Sequence, residues 1–244
     1  MVRLNSEEKD KLREFVWRRL EEAGVARFPK PIRSRIPNFV GAERAAERIR
    51  SLPEYRSARV IFCNPDSPQA PVRWMALADG KIVVVATPRL RSGLLILDPE
   101  RIPSHEYRRA ATIRGAFRFG QPVEPWSIKV DLKVVGSVAV SRDGARLGKG
   151  HGYSDLEYAI LREVGAIGPD TPVVTTVHDL QVLDFIPRSK HDVPVDVIAT
   201  PTKVIRTPRQ EKPSGIYWEE ISEEILEEIP LLSRLKEFST NRGG

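Results

Sequence analysis

The stretch 130–163, VDLKVVGSVAVSRDGARLGKGHGYSDLEYAILRE, constrains the fold of this chain more than any other. Its first part, 130–141, is rich in β-branched residues and reads as a buried strand. A loop with glycines at 144, 148, 150 and 152 follows, and beyond it the apolar residues recur at helical spacing. A glycine-rich turn between strand and helix directs backbone N–H groups, and the positive pole of the helix, at whatever lies above the sheet edge. Two readings satisfy the pattern. One is a tight connection. The other is a phosphate site in which Gly148, Gly150 and Gly152 permit close backbone approach while Arg146 and Lys149 add positive charge. The spacing is neither the dinucleotide fingerprint nor a Walker loop, so both stay open. The helix start also has a purely local explanation: Ser154 with Glu157 fits a capping box, and Asp155 suits a helix N-terminus by charge alone.

The rest of the chain alternates in the same way. A helix is expected over 6–23, with Leu12, Phe15, Val16 and Leu20 on one face and Gly24 to end it. RFPKPIRSRIPNF carries three prolines and no periodicity, which reads as an ordered loop or a linker. A second helix is expected over 41–51, buried strands in ARVIFC, KIVVVATP and TPVVTTVHD, and one or two more in VDVIATPTKVI. Helices around Pro230 close the chain over 218–239. Strands alternating with helices predict an α/β sandwich with a mainly parallel sheet. The simplest organisation is one domain over 1–244, with an N-terminal helical extension and basic Pro-rich loop in 1–50 and the α/β core in 51–244.

Composition narrows the partners. No apolar run approaches the ~18 residues of a membrane span, and the N-terminus lacks a signal-peptide core, so a cytoplasmic location is expected. Cys63 is the single cysteine, which excludes an internal disulfide and a cysteine-based zinc site. The net charge of +6 suits an anionic partner without identifying it. Arg27, Lys30, Arg33 and Arg35 crowd the proline-rich stretch, as RNA contacts or simply as solvated surface. A second polar stretch, VHDLQVLDFIPRSKHDVPVDVIATP, gathers Gln181, Pro187, His191, Asp192 and Asp196 after an expected strand. The histidines are dispersed without helical H-x-x-x-H spacing, so a hard cation such as Mg²⁺, held by carboxylates and phosphate oxygens, suits this stretch better than zinc.

Together these two segments resemble the 5-formyltetrahydrofolate cyclo-ligase (methenyltetrahydrofolate synthetase) family. Its signature is a G-x-R-L-G-x-G-x-G-Y-Y-D loop, followed later by a Gln, an x-P turn and a (H/N)-D-x-x-V-D element. Here the loop runs from Gly144 to Asp155, and the later element is Gln181, Ile186-Pro187 and His191 to Asp196. KDKLRE is similar to the family's helix start K-R-x-L-R, with Lys9 and Arg13 at the matching positions. RIPNFVGAERAA, TPRLRSGL and TPVVTTVHDLQVLD look like the branch of methenyltetrahydrofolate synthetase domain-containing proteins, and the likeness spans nearly the whole chain. Animal members of that branch carry an added RNA-recognition domain, for which 244 residues leave no room.

The resemblance implies a Rossmann-like α/β/α sandwich of the ribose-5-phosphate isomerase and coenzyme A transferase group, a folate substrate, ATP and Mg²⁺. It also implies that Lys9, Arg13 and Arg146 face the phosphates while the amides of Gly148, Lys149, Gly150, His151 and Gly152 cradle them. By family position Asp155 and Asp192 hold Mg²⁺, and Tyr153 lies against the folate; Arg146 and Tyr153 are the catalytic positions. Two departures stand out. Ser154 replaces the second loop tyrosine, and CNPDSPQAPVRW replaces the segment with a substrate-contacting Glu, leaving Asp66 as the nearest acid. The phosphate and metal half is therefore expected intact and the folate half altered. Arg89 and Arg91 suit a phosphate, a folate glutamate tail or plain salt bridges, and His151 is expected to be solvent-exposed. The alternative function is a non-catalytic nucleotide- or RNA-binding module of the same fold.

Overall fold

Eight strands form one sheet, in the spatial order Val204–Arg206, Val197–Ala199, Val173–Thr176, Leu132–Val135, Val60–Cys63, Ile82–Ala86, Leu94–Leu97 and Gln121–Val123. The structure is a computed structural model describing residues 6–240. The strands from Val197–Ala199 to Ile82–Ala86 pair in parallel, and antiparallel strands flank them on both edges. The expected α/β architecture with a mainly parallel sheet is present.

Side chains alternate across the strands, so each strand feeds two cores. Ile61, Cys63, Val83, Val85, Leu132 and Val134 pack with Ala46 and Ile49 of the helix Ala42–Arg50 and with Val72, Met75 and Leu77 of Ala70–Ala78. On the opposite face Phe62, Val84, Val135 and Ile198 pack with Tyr158, Ile160 and Leu161 of the helix Tyr153–Glu163, and with Leu231 and Leu235 of Pro230–Thr240. Each such side chain taken fully out of water is worth about 1.5–3 kcal/mol, which explains why the central strands read as continuous apolar runs. Among the described residues no helix is long and apolar enough to cross a membrane.

The 130–141 stretch is not one strand. It divides at Gly136 into Leu132–Val135, in the large sheet, and Ala139–Ser141, in a small sheet with Arg146–Leu147 and Val182–Leu183. Gly136 donates its N–H to Asn64 Oδ1 at 3.1 Å, and a Cβ there would stand 2.8 Å from an Asp66 carboxylate oxygen. The chain turns out of the sheet against residues 64–66, where a side chain at Gly136 would have to displace the Asp66 carboxylate.

The first helix, Ser6–Glu22, covers the small sheet through Val16, Trp17 and Leu20, together with Ile32, Ile36, Val138 and Leu147. The proline-rich segment is an ordered loop: Ala26–Arg27 pairs with Asn38–Phe39, and Trp17 Nε1 donates to the Arg35 carbonyl at 3.1 Å. The capping box expected at Ser154 and Glu157 does not form. Gly152, with φ of 74°, precedes the helix, no side chain caps it, and both residues turn to partners in the core.

Candidate functional site

Numbered along the chain, the five parallel strands lie in the order 2-1-3-4-5, so the winding reverses between Val60–Cys63 and Leu132–Val135. In open α/β sheets a ligand crevice opens beyond the carboxyl ends of the strands at such a reversal. Here those ends continue into Asn64, Pro65 and Asp66 on one side and Gly136 on the other. These residues line a cleft of about 310 Å³ whose facing wall is Gly148, Lys149 and His151 to Asp155 of the glycine loop, while Gly150 does not line it.

The loop is clamped from behind. Arg13, on the first helix, donates from Nε to the Gly148 carbonyl at 2.7 Å and pairs with Asp10 at 2.6 Å. Gly150 has φ of 103°, a backbone region that an L side chain rarely adopts, and a Cβ there would lie 3.5 Å from the Arg13 guanidinium. Lys149 reaches over the cleft to Asp66 at 3.4 Å.

Arg146 is buried and forms an ion pair with Asp155, while its Nη1 donates to the Gly136 carbonyl at 3.3 Å. Asp155 Oδ1 also accepts the Val193 N–H at 3.0 Å, which brings the segment after His191 against the start of the helix. One residue earlier, Asp192 Oδ2 pairs with Lys9 at 2.5 Å and accepts the Ser189 N–H at 2.6 Å. The bonds of each acid thus run to one oxygen, Oδ1 of Asp155 and Oδ2 of Asp192. Among the described residues no three His, Cys, Asp or Glu side chains cluster into a metal cage. One remaining oxygen on each of two neighbouring acids fits a cation such as Mg²⁺, which takes few protein ligands and completes its shell with phosphate and water.

Beneath the cleft lies a buried polar group. Asn64 donates to Glu157 Oε2 at 2.5 Å and accepts from Ser154 Oγ at 3.1 Å. Lys133 stands 3.6 Å from Glu157 and 3.9 Å from the Phe62 ring centroid, fully buried, with no hydrogen-bond partner on Nζ. Burial pulls the Lys133 ammonium down to about 8 and pushes the Glu157 carboxyl up.

The outer rim is built by the C-terminal segment. Tyr153 Oη donates to Glu228 Oε2 at 3.0 Å, and Arg89 and Arg91 approach Glu228 Oε1 at 3.3 and 3.5 Å. His151 is exposed, as expected, and its ring stacks beside Tyr153 at 6.2 Å. Partial burial, with Lys149, Arg89 and Arg13 nearby, holds the His151 imidazolium below its ordinary range. A second, apolar chamber of about 100 Å³ lies on the other side of Gly152 and Tyr153, between Leu156 and Ala159 and the segment containing Ile216, Tyr217 and Ile225.

Arg146, Gly148, Lys149, His151, Gly152, Tyr153 and Asp155 therefore line the cleft. Lys9, Arg13 and Asp192 meet one another's elements behind the loop, with Lys9 and Arg13 buried and engaged with protein groups. Gln181 is a core residue: its Nε2 donates to the Ser137 and Val138 carbonyls, each at 3.0 Å. Asp196 pairs with Lys212 at 2.7 Å and accepts the Val173 N–H, away from the cleft. In the basic loop, Arg33 pairs with Glu14 at 3.4 Å and Arg35 donates to the Pro31 carbonyl. Sequence reasoning missed Asn64, Gly136, Glu157 as a buried acid, and Glu228. For the first two a signal existed, since they directly follow the strands at the reversal; Glu228 sits far along the chain with no motif around it.

Residues 5–201 match the profile of the 5-formyltetrahydrofolate cyclo-ligase family. The chain is 46% identical over 242 residues to a methenyltetrahydrofolate synthase domain-containing protein of Mus musculus, covering 96% of this chain and 65% of that protein. The Bos taurus protein of the same name is also 46% identical over 242 residues, covering 96% and 63%. The chain thus spans just under two thirds of the length of these relatives. Among solved structures, a 5,10-methenyltetrahydrofolate synthetase of Aquifex aeolicus shares the fold, with a TM-score of 0.51 at 21% identity over 86% of this chain and 97% of that one.

Proposed function

The chain belongs to the 5-formyltetrahydrofolate cyclo-ligase family, and from that membership we propose that it cyclises 5-formyltetrahydrofolate to 5,10-methenyltetrahydrofolate using ATP and Mg²⁺. The observation that carries this reading is the glycine loop standing opposite Asn64 and Gly136 at the reversal in strand order, with Arg146 and Lys149 beside it. When bound, Mg-ATP supplies the phosphoryl group that activates the formyl oxygen; N10 of the folate then closes the ring and phosphate leaves.

Such a transfer needs positioning and charge neutralisation more than an acid or a base. In this reading the amides of Gly148 to Gly152 hold the phosphates, and Lys149 adds charge from the open side. Arg146 neutralises from below and orients Asp155 through their ion pair. Lys9 and Arg13 fix the loop and Asp192 from behind, and Asp155 and Asp192 would hold Mg²⁺ through their remaining oxygens. Tyr153 presents its ring to the folate. Ser154 and Asn64 offer a hydroxyl and an amide where the family carries a second tyrosine ring.

Purified protein, Mg²⁺, ATP and 5-formyltetrahydrofolate, followed by absorbance of the methenyl product, test the proposal. Product formation that requires both ATP and Mg²⁺ supports it. Tight nucleotide binding without turnover on any reduced pterin overturns it in favour of a non-catalytic module.

A further inference from the structure

We propose that Arg89, Arg91 and the Tyr153 hydroxyl form a binding site for a ligand carboxylate at the cleft mouth, filled by the chain's own Glu228 until such a ligand displaces it. Three donors from two separate parts of the chain converge on this one carboxylate. Tyr153 Oη lies 3.0 Å from Oε2, and Arg89 and Arg91 lie 3.3 and 3.5 Å from Oε1. Tyr153 and Arg89 also line the main cleft, so whatever replaces Glu228 is continuous with the space beside the glycine loop.

The turn that presents the arginines is held in a costly conformation. Arg89 and Leu90 both have φ of 56°, a left-handed region that non-glycine residues rarely occupy. It is pinned by the buried Leu90 side chain and by Thr87 Oγ1, which accepts the Ser92 N–H at 3.0 Å and donates to the Gly93 carbonyl at 3.0 Å. Strain of this kind persists where the surroundings over-determine it and is found at ligand clamps. Its effect here is to bring both guanidinium groups to the same carboxylate.

Glu228 has the character of a replaceable occupant. It ends a six-residue helix, Glu223–Glu228, that lies beyond residue 201, where the family match stops. Its ion pairs are with arginines that are 56% and 63% exposed, a setting in which such pairs hold weakly. Two guanidinium groups against one carboxylate leave a positive charge over. The Tyr153 hydroxyl, with Arg89 and Arg91, holds the Glu228 carboxyl below the ordinary carboxylate range, so the site favours the ionised form of its occupant. The ligand chemistry is a carboxylate, which a phosphate oxygen can imitate. That the carboxylate belongs to a folate tail rests on the cyclo-ligase reading; the cradle itself rests on geometry.

Titration of glutarate and of inorganic phosphate into the full chain, followed by backbone amide NMR shifts at Arg89, Arg91 and Gly152, tests this directly. Glu228→Gln is expected to bind glutarate at least about fivefold more tightly than the unmodified chain, the effect of removing one charge at about 4 Å in watery surroundings. Adding Arg89→Gln to that variant cancels the gain. Arg91→Gln in the otherwise unmodified chain, which leaves the C-terminal helix untouched, weakens glutarate binding. A gain for glutarate, with or without one for phosphate, supports the site. A gain for phosphate alone overturns the carboxylate assignment. No gain, or one that survives Arg89→Gln, overturns the cradle. No step depends on turnover, so a glutarate gain alongside a failed cyclisation assay removes only the folate assignment.

Discussion

Arg13 and Gly148, separated by 135 positions, are joined by a hydrogen bond from Nε to the carbonyl oxygen at 2.7 Å. Through it the first helix sets the orientation of the peptide from which the glycine loop begins. Removing that charged donor forfeits about 1.5–3 kcal/mol of loop positioning. Arg13→Lys, which keeps the charge but not the guanidinium geometry, is therefore expected to bind ATP roughly ten- to hundredfold more weakly. Isothermal calorimetry reads the affinity; an unchanged value would show that the loop holds its shape without the clamp.

Gly150→Val tests the loop backbone itself. The Cβ has room, since its nearest neighbour is Arg13 at 3.5 Å, but φ of 103° is strained for valine. The loop must move, at a cost on the order of 1–3 kcal/mol. ATP affinity is expected to fall at least about tenfold while far-UV circular dichroism stays that of the parent. A folded variant with parental affinity would exclude the loop as the phosphate site.

The two acids should separate by their partners. Asp155→Asn leaves Arg146, with a side chain only 2% exposed, without its counter-charge. Breaking a buried pair costs about 3–5 kcal/mol, or roughly 6–20 °C in Tm for a domain of this size. Asp192 faces the less enclosed Lys9, so Asp192→Asn is expected to lower Tm less while still weakening Mg-ATP binding. A Mg²⁺ titration of Asp192→Asn indistinguishable from the parent would remove that residue from the metal site.

Lys133 gives a pH prediction. Its pKa of about 8 in the folded chain lies below the ordinary 10.5 because burial disfavours the charged form. Between those values the unfolded chain keeps a proton that the native chain has released. Stability from this group therefore rises as pH climbs from about 8 towards 10.5. Urea unfolding across that window should show the rise in the parent and its loss in Lys133→Met. Equal slopes would mean that Lys133 keeps its proton in the folded chain throughout that window.

The altered folate half predicts slow chemistry. A lost ring contact and a lost charged hydrogen bond each cost on the order of 1–3 kcal/mol, roughly ten- to hundredfold. ATP is expected to bind normally while kcat/KM for 5-formyltetrahydrofolate falls below that of a family enzyme carrying both loop tyrosines. Steady-state kinetics decide it; equal efficiency would mean that Ser154, Asn64 and Glu157 rebuild the pocket.

Much of this protein is local enough to read from its residues. Helical periodicity over 6–23 and 41–51, and the apolar runs at 58–63, 81–88 and 171–179, report side-chain burial directly, and each became an element close to where it was expected. The glycine loop was legible because positive φ at Gly150 and Gly152 demands glycine whatever the rest of the fold does. Other features depend on contacts that no local window contains. The 130–141 run breaks at Gly136, whose N–H is taken by Asn64 and beside which the Asp66 carboxylate stands, both residues more than sixty positions earlier. Ser154 abandons its cap because Asn64 offers a buried partner, and Glu157 faces inward because Lys133 sits in the adjacent strand. The same holds for charge. Sequence shows that Lys9, Arg13, Arg146, Arg89 and Arg91 are cations, but only the folded chain decides that the first three are enclosed by Asp192, Gly148 and Asp155 while the last two meet at Glu228. Backbone conformation and amphipathicity are properties of neighbouring residues, whereas an ionised side chain is committed by whichever opposite charge the topology brings within a few ångströms.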